Sequence, residues 1–213
     1  MTTDRFTLCS VRAADGGARL LLLIRAESAC GVRDEALTVF TARLSATPRL
    51  GALTEEQYAF FTREADMTKA MDMGLRFLAA GAASRLQLVT KMRQRGIKKD
   101  IAEAAADALL ARGCLFEQEG ALSEARKGLK KLWGDRRILA DVRAKGYGAE
   151  AITAVEALLK TENAPSRCAN LIKKRRMVLP REDRAVARFV ASLVRYGYTV
   201  KEIKQALRET DDI

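Results

Sequence analysis

The chain has 213 residues, 48% of them hydrophobic but only 6% aromatic, with 38 Lys and Arg against 27 Asp and Glu. An apolar stock of mostly Ala, Leu, Val and Ile suits packed helices better than a β-sandwich. There is no histidine, and Cys9, Cys30, Cys114 and Cys168 stand far apart with no CxxC pair, which removes the common zinc ligand sets and Ser-His or Cys-His catalysis.

No metal, cofactor or catalytic set is therefore expected, and the cysteines read as small buried hydrophobes in a reducing compartment. The longest apolar run, Leu20–Ile24, is far short of the ~20 residues that cross a bilayer. MTTDRF at the start has no signal-peptide plan. A soluble, cytoplasmic chain without membrane contact is the expectation.

In chain order, FTLCSVRAA and ARLLLLIRA are strand-like runs about the turn Asp15-Gly16-Gly17. Residues 31–44 read as a helix, broken by Pro48 and Gly51 in TPRLG. Thr54 and Gln57 have the spacing of a capping box that opens the next helix. These first residues, 1–65, form a small α/β extension.

Beyond it the chain repeats. Gly96, Gly146 and Gly197 are 50 and 51 residues apart. Four residues before each stand Met92, Val142 and Leu193. Seven before stand Val89, Leu139 and Val190, and eight before stand Leu88, Ile138 and Phe189. Those offsets share one helical face, and each glycine sits where a left-handed residue would close the helix. A second helix follows each glycine, and Asp66–Ala80, Ser123–Leu132 and Ser166–Val178 supply a third. The fold class is mainly α: elongated tandem three-helix repeats of about 50 residues, at 66–115, 116–162 and 163–213, behind the α/β extension.

Charge is distributed unevenly. Residues 1–68 carry 8 basic and 9 acidic residues, and residues 69–213 carry 30 and 18. The repeats are thus basic and the extension is not, which points to a polyanionic partner or to a partner bound to one. Candidate contacts fall in three clusters. Lys91, Arg93 and Arg95, with Lys98 and Lys99, form the first. Arg126, Lys130, Lys131, Arg136 and Arg143 belong to the second, where Arg137, Asp141 and Lys145 at i, i+4, i+8 can neutralise one another along a helix. The third runs from Arg167 through Lys173, Lys174, Arg175 and Arg176 to Arg181, Arg184 and Arg188. Four consecutive cations sweep round a helix, so they cannot all be paired locally. Trp133, the lone tryptophan, reads as a packing anchor beside the turn at Gly134, because strand-binding proteins that stack bases use several aromatics.

Three stretches resemble the RecX family of RecA regulators. They are MDMGLRFLAAGAASRLQLVTKMRQRGI (71–97), GCLFEQEGALSEARKGLKKLWGDRRILADVRAKGYG (113–148) and VARFVASLVRYGYTVKEIKQAL (186–207). Together they cover residues 70–208. One departure is Gly120, where family members carry an aromatic residue after an acidic turn. The resemblance implies a non-enzymatic monomer that binds the RecA nucleoprotein filament. It would limit filament extension, ATP hydrolysis, strand exchange and coprotease activity, and touch single-stranded DNA weakly and in a salt-dependent way. The alternative is a helix-turn-helix-like regulator that binds DNA without RecA.

Overall fold

The computed structural model describes residues 4–180 and 182–211. Among the described residues four strands, β1 (Arg5–Ala14), β2 (Arg19–Ser28), β3 (Gly31–Phe40) and β4 (Gly51–Leu53), precede nine α-helices. These are α1 (Glu55–Ala79), α2 (Arg85–Gln94), α3 (Lys99–Ala111), α4 (Glu117–Lys130), α5 (Asp135–Ala144), α6 (Ala149–Lys160), α7 (Ala164–Lys174), α8 (Asp183–Arg195) and α9 (Val200–Asp211). The described chain is mainly α, in successive helical bundles behind an antiparallel sheet. It falls into two compact units: one runs to Gly81 and includes Leu88–Cys114, and the other holds Ala82–Gln87 and Leu115 onward.

In the first unit the sheet has the order β3-β2-β1-β4, all antiparallel. Leu20, Leu22, Ile24 and Ala26 alternate as buried residues along β2, and the first three join Leu8, Val39 and Phe61 in one core. Residues 31–40 are a strand, not the expected helix. The local Asp-Glu-Ala-Leu run favours a helix, but β2 pairs with β3 from Arg19↔Phe40 to Ser28↔Gly31. Arg25 bridges Asp34 across those strands at 2.9 Å. Ten residues of ladder outweigh a weak local preference. Thr54 caps α1, its hydroxyl accepting from Gln57 N at 3.2 Å while Gln57 accepts from Thr54 N at 2.9 Å. That helix runs unbroken through residue 65, so the sheet and the first repeat share an element.

The repeat pattern rests on helix closure. Gly96 lies at φ +87°, with Ile97 N donating to Met92 O and Gly96 N to Arg93 O. Gly197 at φ +97° closes α8 through Tyr198 N to Leu193 O and Gly197 N to Val194 O. This paired closure satisfies carbonyls the helix end would leave open. The apolar face lies as the offsets imply. Leu88, Met92, Ile138, Val142, Phe189 and Leu193 are buried, each worth roughly 1.5–3 kcal/mol of apolar burial. Leu139 and Val190, at the flank of the face, are half-buried.

In the second unit, α4, α5 and α6 enclose Ala121, Ala125, Ile138, Val142, Val155 and Leu159. Helices α7, α8 and α9 enclose Cys168, Leu171, Phe189, Leu193, Tyr198 and Ile203. Tyr147 fills the space at Gly120: its Cε1 and hydroxyl lie 3.1 Å from where a Cβ there would stand. The Tyr147 ring thus takes the space that a side chain at Gly120 would need.

Candidate functional site

The turns at Gly146 and Gly197 each receive the start of an earlier helix. At one junction Ser84 caps α2, accepting from Gln87 N at 3.1 Å, and its hydroxyl donates to Lys145 O at 2.5 Å. Arg85 N, in the first turn of the same helix, donates to the Glu117 carboxylate at 2.7 Å. At the other junction Gly134 N donates to Tyr196 O at 2.8 Å and Arg136 N to Gly197 O at 3.3 Å. Tyr198, fully buried, donates its hydroxyl to Leu132 O at 2.9 Å.

Arg167 completes that second junction. Its Nε donates to Trp133 O at 2.9 Å and its Nη2 to the Asp135 carboxylate. The side chain is 7% exposed, and its Nη1 has no partner among the described residues. The sequence placed Arg167 in a basic cluster; it is instead a buried bridge between repeats, because Asp135 and the Trp133 carbonyl draw it inward. Burial pushes the Asp135 carboxyl above its ordinary value despite Arg167, with Glu202 and Glu162 adding to the rise.

The remaining candidate cations lie outside. Lys91, Arg93 and Arg95 on and after α2 are exposed, as are Arg126, Lys130, Lys131, Arg136 and Arg143. So are Lys173, Lys174, Arg175 and Arg176 at the end of α7, whereas Arg181 lies outside the described residues. Their partners differ. Lys91 and Arg95 lie over the Phe77 ring at 5.5 and 5.7 Å. Arg143, a candidate contact, meets Glu156 of α6 at 3.0 Å, a contact made across the bundle and so invisible to spacing within α5.

The charge ladder on α5 forms only in its second half. Lys145 bridges Asp141 at 2.7 Å and reaches Glu124 at 2.5 Å. Arg137 turns away from Asp141 and lies over Trp133, 4.2 Å from the ring centroid. Trp133 is half-buried and packs against the core of the α4–α6 bundle, with Lys131 4.8 Å from its centroid. Tyr196, which the sequence reading passed over, takes Arg137 and Arg175, each at 5.5 Å. The available signal was the spacing of Trp133 and Arg137, four residues apart.

Burial opposes ionisation of Glu124, yet hydrogen bonds from Lys127 and Lys145 hold its carboxyl below the ordinary value. A lowered carboxyl contributes stability that is full above its unfolded value and is lost as pH falls through its folded one. Glu124→Gln should therefore flatten the loss of stability below about pH 4.3, measured by urea denaturation across that range. An unchanged acid limb would remove Glu124 as its source.

Among the described residues, no group of three or more His, Cys, Asp or Glu is placed to hold a metal, and no helix is long and apolar enough to cross a membrane. The cysteines divide: Cys9 and Cys30 are exposed and Cys114 half-exposed, contrary to the expectation of burial, because strands and turns of the first unit present them to solvent. Cys168 alone is buried, and burial pushes its thiol up to about 12.

The class these features define is a helical-repeat protein with an N-terminal antiparallel sheet and exposed cationic clusters. No protein-family model matches the chain. It is 34% identical over 129 residues to Regulatory protein RecX of Mycobacterium leprae (strain Br4923), covering 59% of this chain and 75% of that protein. Regulatory protein RecX of Mycobacterium avium (strain 104) is 32% identical over 139 residues, 62% of this chain and 78% of the relative. A crystal structure of regulatory protein RecX superposes with a TM-score of 0.70 at 18% identity, covering 95% of this chain and 99% of the other. RecX from Lactobacillus salivarius gives 0.57 at 20% identity, over 70% and 98%. The chain belongs to the RecX family of regulatory proteins.

Proposed function

We propose that this chain regulates RecA, binding RecA filaments on single-stranded DNA and limiting their extension, ATP hydrolysis, strand exchange and coprotease activity. The reading is that of a cytoplasmic, monomeric, non-enzymatic regulator without a cofactor. The observation that carries it is family membership joined to charge. The relatives are regulatory proteins, and the basic excess lies wholly in the repeats that resemble them. Exposed cations on the repeats support an anionic partner, since a charged surface raises the rate and specificity of encounter more than the affinity.

The test adds the chain to ATP-hydrolysing RecA on single-stranded DNA. The expected result is an ATPase rate that falls as the chain is titrated, with the effect weakening as salt rises. An ATPase rate unchanged over a wide concentration range sinks the proposal. Tight, sequence-dependent DNA binding without RecA would instead favour the helix-turn-helix-like alternative.

A further inference from the structure

Strand β3 stands at the end of the sheet order, so one of its edges has no neighbouring strand. Thr41 N donates to Ala18 O, just before β2. Phe40 N points the other way and donates to Thr68 Oγ1 of α1 at 3.2 Å. Backbone groups alternate in direction along a strand, so Thr38 and Ala36 also aim N–H and C=O away from β2. Among the described residues no partner takes either N–H. Farther along, Arg33 and Asp34 are exposed and charged, a common guard against stray strand pairing. Residues 36–38 carry no charge.

That uncharged length borders a groove of about 620 Å³ whose other wall is α1. Ala65, Met73 and Phe77 give the groove an apolar lining opposite Leu37, and Lys69, Arg76 and Arg95 give it cations. Asp72 is held by Arg19 at 2.6 Å, which leaves Asp66 beside those cations. Lys69, Arg76 and Arg95 have no carboxylate partner among the described residues.

We infer that an extended, acidic peptide segment of a partner protein adds to this edge of β3 as a further strand and lies in the groove. The backbone edge decides the chemical class. It presents a donor and an acceptor together, repeated about every 7 Å. Phosphates offer acceptors alone and would leave the Ala36 and Thr38 carbonyls unmet. A peptide backbone supplies both groups. Charge decides the side chains. A second copy of this chain, paired edge to edge about a twofold axis, would set the same cations against one another. An acidic segment neutralises them instead.

This goes beyond the filament reading and is tested without RecA, so either can fail alone. The full chain, isotope-labelled, is titrated with an end-blocked octapeptide that alternates Glu and Val. Hydrogen exchange followed by NMR is the direct readout. Before peptide is added, the Leu37 and Val39 amides, paired with β2, should exchange slowly and those of Ala36 and Thr38 fast. Saturating peptide should slow Ala36 and Thr38 by about tenfold or more and leave Leu37 and Val39 within about twofold. An alternating Lys–Val peptide of the same length should bind about tenfold more weakly.

Thr38→Pro removes one outward N–H and spares the ladder to β2, a change an edge strand tolerates. It should weaken the Glu–Val peptide about tenfold, read by anisotropy of a labelled copy. Arg76→Glu should weaken it about fivefold, whereas Arg12→Glu, at an exposed cation of β1, should stay within about twofold of the parent. The inference is overturned if no peptide binds up to millimolar concentration, if Ala36 and Thr38 exchange as fast with peptide as without, or if the Lys–Val peptide matches the Glu–Val one. A chain that is already a dimer with both amides protected would assign the edge to a second copy and overturn it too. Equal protection of those amides by an oligomer of dT would assign the groove to nucleic acid, with the same result. The exchange measurement uses the parent chain, so it stands even if Thr38→Pro does not fold.

Discussion

Gly134→Ala is expected to destabilise the second unit by about 3 kcal/mol, at the upper end of what overpacking costs. Gly134 has φ −73° and ψ 160°, a conformation alanine adopts freely, so backbone strain contributes nothing. The obstacle is space. A Cβ there would stand 2.3 Å from Gly197 C and 2.4 Å from Gly197 O. Both are backbone atoms that cannot swing aside. Making room would pull apart the bonds from Gly134 N to Tyr196 O and from Arg136 N to Gly197 O. Gly96→Ala is the informative comparison. Gly96 has φ +87° but nothing within 4 Å of an added Cβ, so only left-handed strain of about 1–2 kcal/mol applies. Urea unfolding followed by Trp133 emission for Gly134→Ala, and by circular dichroism for both variants, gives the two values. Equal costs would mean that the junction yields and that the close approach is not needed.

Arg167→Met should cost about 3 kcal/mol, because removing one partner of a buried pair leaves the other charge desolvated and alone. The lower end of that range applies because Asp135 is 30% exposed and water can reach it. The loss strands the Trp133 carbonyl as well. Adding Asp135→Asn should restore part of the stability, since the stranded charge is then gone. The pH dependence has a definite sign. Burial raises the Asp135 carboxyl, so its contribution is fullest below the unfolded value and is lost as pH rises through the folded one. Without Arg167 the ionised form loses its counter-charge, and the deficit of Arg167→Met should shrink on acidification through the carboxylate range. The double variant should lack that trend. A deficit independent of pH, unrelieved by Asp135→Asn, would show that Arg167 acts by packing alone.

Much of the fold was legible because it depends on periodicity. Offsets of four and eight from Gly96, Gly146 and Gly197 name residues that are buried, and the glycines themselves have the left-handed backbone that closes a helix. Strand β3 was not legible, since its fate is decided by pairing with β2 and not by its own residues. The cationic surface was legible as composition, but its pairing was not. Arg143 finds Glu156 on another helix, Arg167 turns into a junction, and Arg137 prefers two rings to the carboxylate four residues along. The first two choices are made by an element elsewhere in the chain, which spacing along one helix cannot register, while Arg137 is drawn both to Trp133, four residues back, and to the distant Tyr196. Glu124 was missed for the same reason: it serves Lys127 on its own helix and Lys145 from the next.

The Gly134–Gly197 contact also bears on the order in which the chain becomes finished. The turn at Leu132–Gly134 is complete only when Tyr196 and Tyr198 arrive, more than sixty positions later in translation. The cap at Ser84 likewise waits for Lys145. Synthesis thus makes each turn well before the residues that complete it. The final two helices are therefore a clasp for what the ribosome made before them, and a message cut short ahead of α8 would leave the preceding bundle with an open seam.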